Sequence, residues 1–317
     1  MDGIKCLVYT APGKPEFTYV DKKQPQSHEA GIRVIASSLC NTSELRSFRG
    51  GYESGYGSGY PMKPGEPGHE AVGVIESTGT ENGEFSTGDI VAMTGHGGDP
   101  CHRSYVIRRT ADIARIYPGK RDVEEAAMLE MYGCAYHCAT APGGLGFFEG
   151  KKVLVIGLGS MGLCTVQILG GIKNPGIYAY DINEERLALA EKCGADILHE
   201  PGEIDTEGRF DVVIECSGSV NGQELALGLA PETLIFSSYN TRKISFRQNL
   251  LFDSTTTIYN PGIPTSENFK KAVALYNEGR IDPSLLVTGK IAADINQYTD
   301  AIEDIGNSRT IKTLMMW

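Results

Sequence analysis

The hexapeptide Gly157-Leu158-Gly159-Ser160-Met161-Gly162 limits what this chain can fold into more than any other feature. It stands directly after the apolar run Val153-Leu154-Val155-Ile156 and opens a segment of helix formers. In that strand–turn–helix setting Gly157 permits the tight turn, Gly159 lets backbone approach a pyrophosphate, and Gly162 allows close helix–strand packing. Ser160 and Met161 fall in the first helical turn, whose open N–H groups and positive dipole end suit phosphates. Asp181 closes the next apolar strand 19 residues after Gly162, near the ~20 expected of a carboxylate that binds ribose hydroxyls. A carboxylate there repels a 2′-phosphate, so the expected cofactor is NAD rather than NADP. Arg186, in the following helix, faces solvent, stacks near the adenine or reaches toward a 2′-phosphate.

Strand and helix patterns keep alternating from there. Strands are expected at 176–181, 210–218 and 234–239, with helices at 183–195 and 222–230 between them. Such alternation is the mark of βαβ units and a parallel sheet. The first third differs, with short β-branched strands at 4–11, 32–40, 70–78 and 89–94 separated by turn residues, the pattern of a barrel or sandwich. A helix is expected over 122–141, and a helix, a strand, a helix and a strand close the chain after Ser266. The expected fold is therefore α/β, a doubly wound Rossmann sheet over 139–265 plus a β-rich domain built from 1–138 and 266–317. At 317 residues the chain can hold two cores, since single cores stop growing at roughly 250–300 residues.

A formal net charge of −11 argues against nucleic acid or an anionic membrane as the partner, because both would repel it. The N-terminal segment lacks the apolar core of a signal peptide, and no run reaches the ~18 apolar residues of a membrane span. Eight cysteines are spread over the whole chain without the clustering of a disulfide framework. The protein is expected to be cytoplasmic, with its thiols reduced.

The second constellation is Gly68-His69-Glu70-Ala71-Val72-Gly73 with Gly79 beyond it, preceded by Ser38-Leu39-Cys40-Asn41-Thr42 and followed by Glu130 in AAMLEMYGCAYHC. Here the sequence resembles the zinc-containing medium-chain alcohol dehydrogenases, and the likeness runs over essentially the whole chain. It implies a GroES-like fold for the β-rich domain and a first zinc thiolate at Cys40, with His69 as second ligand. Glu130 matches the glutamate that polyol dehydrogenases carry in place of a third, cysteine ligand, and His137 keeps the family's offset from it. The chemistry agrees, since catalytic zinc takes about three ligands from Cys, His and carboxylate and leaves a position open. Glu70 is placed as a fourth or exchanging ligand, or as the group that holds a metal-bound water.

Three departures accompany the likeness. The family's structural zinc lobe uses four closely spaced cysteines, whereas HGGDPCHRSYV offers Cys101 alone, so one catalytic zinc and no structural zinc are expected. Ser43 replaces the aspartate that supports the ligand histidine. The interval from Cys40 to His69 is stretched by a Gly/Tyr-rich loop over 49–68.

The resemblance implies hydride exchange between a polar secondary alcohol, a polyol or sugar, and NAD(H), with zinc as Lewis acid. Thr42 is the expected proton relay and Glu70 the alternative. Tyr52, Tyr56 and Tyr60 suit a polyhydroxylated substrate, and His96, Asp99 and His102 are placed along the same cleft. Two rivals stay open, a metal-free quinone or enone reductase on the same fold and a non-catalytic NAD(H)-binding protein. A homodimer or homotetramer is expected by analogy with the family.

Overall fold

The computed structural model describes the chain except residues 1–2, 51–58, 82, 174, 200–203, 205–209, 239 and 253. It falls into two compact units. One comprises Met1–Glu130, Phe269–Glu278 and Leu286–Trp317, the other Met131–Asn268 and Gly279–Leu285.

The first unit begins with β1 (Ile4–Ala11) and β2 (Lys14–Val20), an antiparallel pair. Next come β3 (Glu29–Ser38), helix α1 (Asn41–Arg49), β4 (Ala71–Thr78), β5 (Ile90–Met93), β6 (Tyr105–Arg109) and β7 (Ile113–Arg115). In the second unit α2 (Leu129–Thr140, its first two residues in the first unit) leads to β8 (Lys152–Ile156), α3 (Ser160–Gly170), β9 (Gly176–Tyr180), α4 (Glu184–Lys192) and β10 (Ile197–His199). It continues with β11 (Val212–Glu215), α5 (Val220–Gly228), β12 (Thr233–Phe236), α6 (Gln248–Phe252) and β13 (Thr257–Tyr259). The chain ends with α7 (Ser266–Asn277), β14 (Val287–Ala292), α8 (Ile295–Gly306) and β15 (Lys312–Met316).

In the first unit a sheet runs β14-β15-β3-β4-β5-β7, with β6 also paired to β3. Strand β3 is central and its burial is nearly continuous, as expected of a strand covered on both faces. Ile32, Val34, Ile75, Val91, Met93 and Val106 fill one core. A second core joins Leu7, Tyr9, Leu39 and Met315 to Tyr298, Ile302 and Ile305 of α8. Those three recur at helical spacing on one face, and Asp294 caps the helix by accepting from the N–H groups of Asn296 and Gln297. Each such side chain contributes about 1.5–3 kcal/mol on burial.

The second unit is an all-parallel sheet in the order β10-β9-β8-β11-β12-β13. Counted within the unit, that is third-second-first-fourth-fifth-sixth, the doubly wound Rossmann order, whose ligand crevice lies where the order reverses. The reversal falls between β8 and β11, both apolar and buried because helices cover the sheet.

One sequence expectation changes and one element is unforeseen. Residues 123–128 wind as a 3-10 helix before α2 starts at Leu129. Glu125 to Met128 are all buried against β3 and β4, so packing rather than the 3.6-residue period sets their winding. The stretch after Cys40, for which the sequence pattern suggests no element, is helix α1, and Gly50 ends it in the left-handed region at φ 78°.

Candidate metal and dinucleotide sites

Cys40 stands where β3 gives way to α1, and His69 and Glu70 immediately precede β4. The bond from Ser38 N–H to the Glu70 carbonyl, at 3.0 Å, draws these two strand ends together. The thiol, an imidazole nitrogen and a carboxylate oxygen of Cys40, His69 and Glu70 lie within 4.8 Å of one another. His69 Nδ1 donates to the Pro67 carbonyl at 2.8 Å, which leaves Nε2 as the ligating nitrogen. That carbonyl supports the ring, the role the resemblance gives to an aspartate at the position held by Ser43. Glu70 Oε1 accepts from Lys312 Nζ at 2.8 Å, both side chains being fully buried, and lies 3.7 Å from His69 Nε2.

Burial alone would raise the Cys40 pKa, but the charge and hydrogen bond of His69, aided by Lys312, hold it below its usual value. Burial works the other way on His69, where Cys40, Glu130 and Glu70 prevail and raise it well above the imidazole range. Each group thus favours the charged form of the other. Glu70 Oε2 is buried with no hydrogen-bond partner, a costly arrangement unless a ligand satisfies it. A thiolate, an imidazole and a carboxylate with an open oxygen form a donor set that fits zinc.

The other expected residues are placed as follows. Glu130 is half-buried and lies outside the three-residue cluster, although its charge reaches His69. Thr42 is exposed on the first turn of α1. Tyr60 donates its hydroxyl to the Ser47 carbonyl and packs against the second core; Tyr52 and Tyr56 lie outside the described residues. His137 Nε2 bonds to the Pro261 carbonyl at 3.0 Å in the second unit. His96 is exposed and Asp99 half-buried, the latter bonded to Ile107 N–H and Arg103. His102 does not line a cleft: it is 0% exposed, held between Ser37 and Glu44. Cys101 is buried in the first core.

In the second unit the Gly157–Gly162 loop runs from the end of β8 into α3, at the point where the strand order reverses. Gly157 has φ 87°, and a Cβ there would meet Ser217 Cα at 2.5 Å; one on Gly162 would meet the Gly157 carbonyl at 1.9 Å. A Cβ on Gly159 would meet nothing within 4 Å, so space stands open beside the helix N-terminus, as a pyrophosphate requires. Ser160 and Met161 are half-buried in the first turn. Asp181 follows β9, and its Oδ2 accepts from Leu158 N–H at 2.6 Å, its Oδ1 from Asn183 N–H at 3.0 Å. Arg186 is half-buried on α4.

Two buried charged residues, one touching the metal cluster and one in the network beside it, escaped the sequence reading. Lys312 carries a faint signal, a lone cation in the apolar run TIKTLMMW. Glu44 carries none, since a glutamate on a short polar helix reads as solvated.

Comparisons with known proteins agree with this geometry. The Alcohol dehydrogenase GroES-like domain profile matches residues 26–148. D-xylulose reductase A of Aspergillus oryzae is 23% identical, covering 98% of this chain and 96% of its own. L-threonine 3-dehydrogenase of Pyrococcus horikoshii is 25% identical, with 98% of both chains covered. The crystal structure of 2R,3R-butanediol dehydrogenase from Bacillus subtilis superposes with a TM-score of 0.84 at 19% identity over 99% of both chains. Residues 26–148 thus match the GroES-like domain of alcohol dehydrogenases, and the chain as a whole is similar to dehydrogenases of the zinc-type medium-chain kind.

Proposed function

We propose that this chain is a zinc-dependent dehydrogenase that exchanges hydride between a secondary hydroxyl of a polyol or sugar and NAD(H). The observation that carries the reading is the convergence of Cys40, His69 and Glu70 within 4.8 Å. These three would hold the zinc, with Glu130 as a further carboxylate at its edge. Bound there, zinc supplies a Lewis acid that polarises the substrate oxygen and eases loss of its proton. Lys312 balances the Glu70 charge, and the Pro67 carbonyl keeps the His69 ring in its ligating tautomer. The Thr42 hydroxyl takes the substrate proton, with the Glu70 carboxylate as the alternative. The Gly157–Gly162 loop and α3 N-terminus orient the pyrophosphate, and the Asp181 carboxylate favours NAD. The same three ligands count against a metal-free reductase, which has no use for them.

The relatives support alcohols that carry a second polar group. The short edge strand β13, with exposed Ile258 and nearby exposed Phe252 and Ile263, supports pairing of two copies along that edge. Elemental analysis should find one zinc per chain, and a panel of polyols, vicinal diols, sugars and L-threonine, followed at the NADH absorbance, should yield a substrate. Absence of zinc after reconstitution, or two zincs per chain, defeats the metal assignment. Zinc-loaded protein inert on the whole panel defeats the substrate class.

A further inference from the structure

We infer that His102 is a positioning residue, a clamp that fixes the two chain segments bearing Cys40 and His69 relative to each other. It comes from the segment where relatives would carry their cysteine lobe, and it is fully buried. Its ring reaches one segment through both nitrogens. Nδ1 meets Ser37 Oγ at 2.8 Å, three residues before Cys40, and Nε2 meets Glu44 Oε1 at 2.8 Å, four residues after it. The other segment is held by backbone. His102 N–H donates to the Gly65 carbonyl at 3.1 Å, and Cys101 N–H donates to the Gly68 carbonyl at 2.8 Å. The imidazole also lies flush against the residue preceding His69, because a Cβ on Gly68 would stand 2.4 Å from His102 N and 2.6 Å from its Cγ. The glycine ahead of His69 is therefore required by the close approach of His102, backbone first and ring second.

Hydrogen-bond direction around the ring is fixed from both ends. Trp317 Nε1 can only donate, and it donates to Ser37 Oγ at 2.9 Å. A carboxylate accepts only, so Glu44 receives His102 Nε2–H on Oε1 and the Tyr298 hydroxyl on Oε2. Burial and then the charge of Glu44 keep the Tyr298 phenol protonated, and its oxygen lies 2.9 Å from that of Tyr9. With Ser37 O–H donating to Nδ1, every donor in the chain finds an acceptor and a single tautomer satisfies all bonds. Such a fully satisfied buried network has one geometry; it fixes the Cys40 segment on a ring whose own backbone holds the His69 segment.

The clamp rests on the zinc reading of Cys40, His69 and Glu70, so zinc uptake by the wild-type protein is measured first. His102→Gln and Ser37→Ala are then compared with it in the full chain by chelator competition for zinc. The cobalt-substituted proteins are compared by their thiolate charge-transfer band, and melting is recorded with and without zinc. Loss of a support behind metal ligands typically weakens affinity 10–100-fold. That loss is expected for His102→Gln, a smaller one for Ser37→Ala, with a shifted cobalt band and a narrower gap between apo and zinc-loaded melting temperatures. NADH affinity should not move. A variant that melts earlier by the same amount with and without zinc, and keeps zinc affinity within twofold of wild type, overturns the clamp alone and makes the network a core feature. If His102→Gln fails to fold, Ser37→Ala, which removes one hydroxyl and leaves the ring, decides by the same readouts. No zinc uptake by the wild type overturns both readings.

Discussion

Glu130 and Lys312 act on the same cluster from different sides, and single substitutions separate their contributions. Glu130 lies outside the three-ligand group, yet its carboxylate bears on His69. Glu130→Ala is expected to lower turnover by at least about two orders of magnitude, on the order of 3 kcal/mol in transition-state stabilisation. NADH affinity should stay within twofold, because the proposed dinucleotide site is built from Gly157, Gly159, Gly162 and Asp181, away from Glu130. Steady-state rates with zinc content and NADH titration check this, and near-normal turnover removes Glu130 from the site. Lys312 is a matter of stability. It and Glu70 are both fully buried, and breaking a buried pair by deleting one partner typically costs about 3–5 kcal/mol. Lys312→Met should therefore lower the unfolding free energy of the metal-free protein by about that much, and its urea midpoint with it. Urea unfolding of the apo protein reads it, and an unchanged midpoint means that Glu70 finds another partner.

At the level of elements, the proposed dinucleotide site draws on α3, α4 and strands β8, β9 and β11, with its proposed selectivity in two adjacent residues after β9. Asp181→Gly combined with Ile182→Arg should raise the ratio of NADP to NAD catalytic efficiency by at least about tenfold, roughly 1.4 kcal/mol. Ile182 is 81% exposed, so an arginine there needs no repacking. Comparing kcat/KM for the two cofactors tests this, and wild-type preference for NADP would refute the role given to Asp181. These α/β elements were legible in the sequence because buried parallel strands read as unbroken apolar runs and the fingerprint loop marks a strand–helix junction. Strands β2, β10 and β13 were not legible. Ile197–His199 and Thr257–Tyr259 are three residues each, too short for a period, and exist because a neighbour pairs with them. Cys40, His69 and Glu70 were legible through the resemblance that the Gly68–Gly73 motif carries. What surrounds them was not, since Lys312 meets Glu70 across 242 positions and His102 meets Glu44 across 58. Such contacts follow from strand pairing, not local pattern.

At the scale of the whole molecule, the metal-bearing unit is assembled from three separate stretches of chain. Its central strand β3 pairs with β15, from the far end of the sequence. Every proposed zinc ligand lies within the first 130 residues, whereas the cation that balances Glu70 lies on β15. Synthesis at about 5–20 residues per second exposes Cys40, His69 and Glu70 roughly tens of seconds before Lys312 leaves the ribosome. During that interval β3 lacks a neighbour and Glu70 cannot be buried at low cost, so the nascent site should not hold metal tightly. A chain ending at Thr310 puts this to the test: it should fail to retain zinc on a desalting column although all four candidate ligands are present. Full retention by that truncated chain would mean that the metal centre matures while translation is still under way.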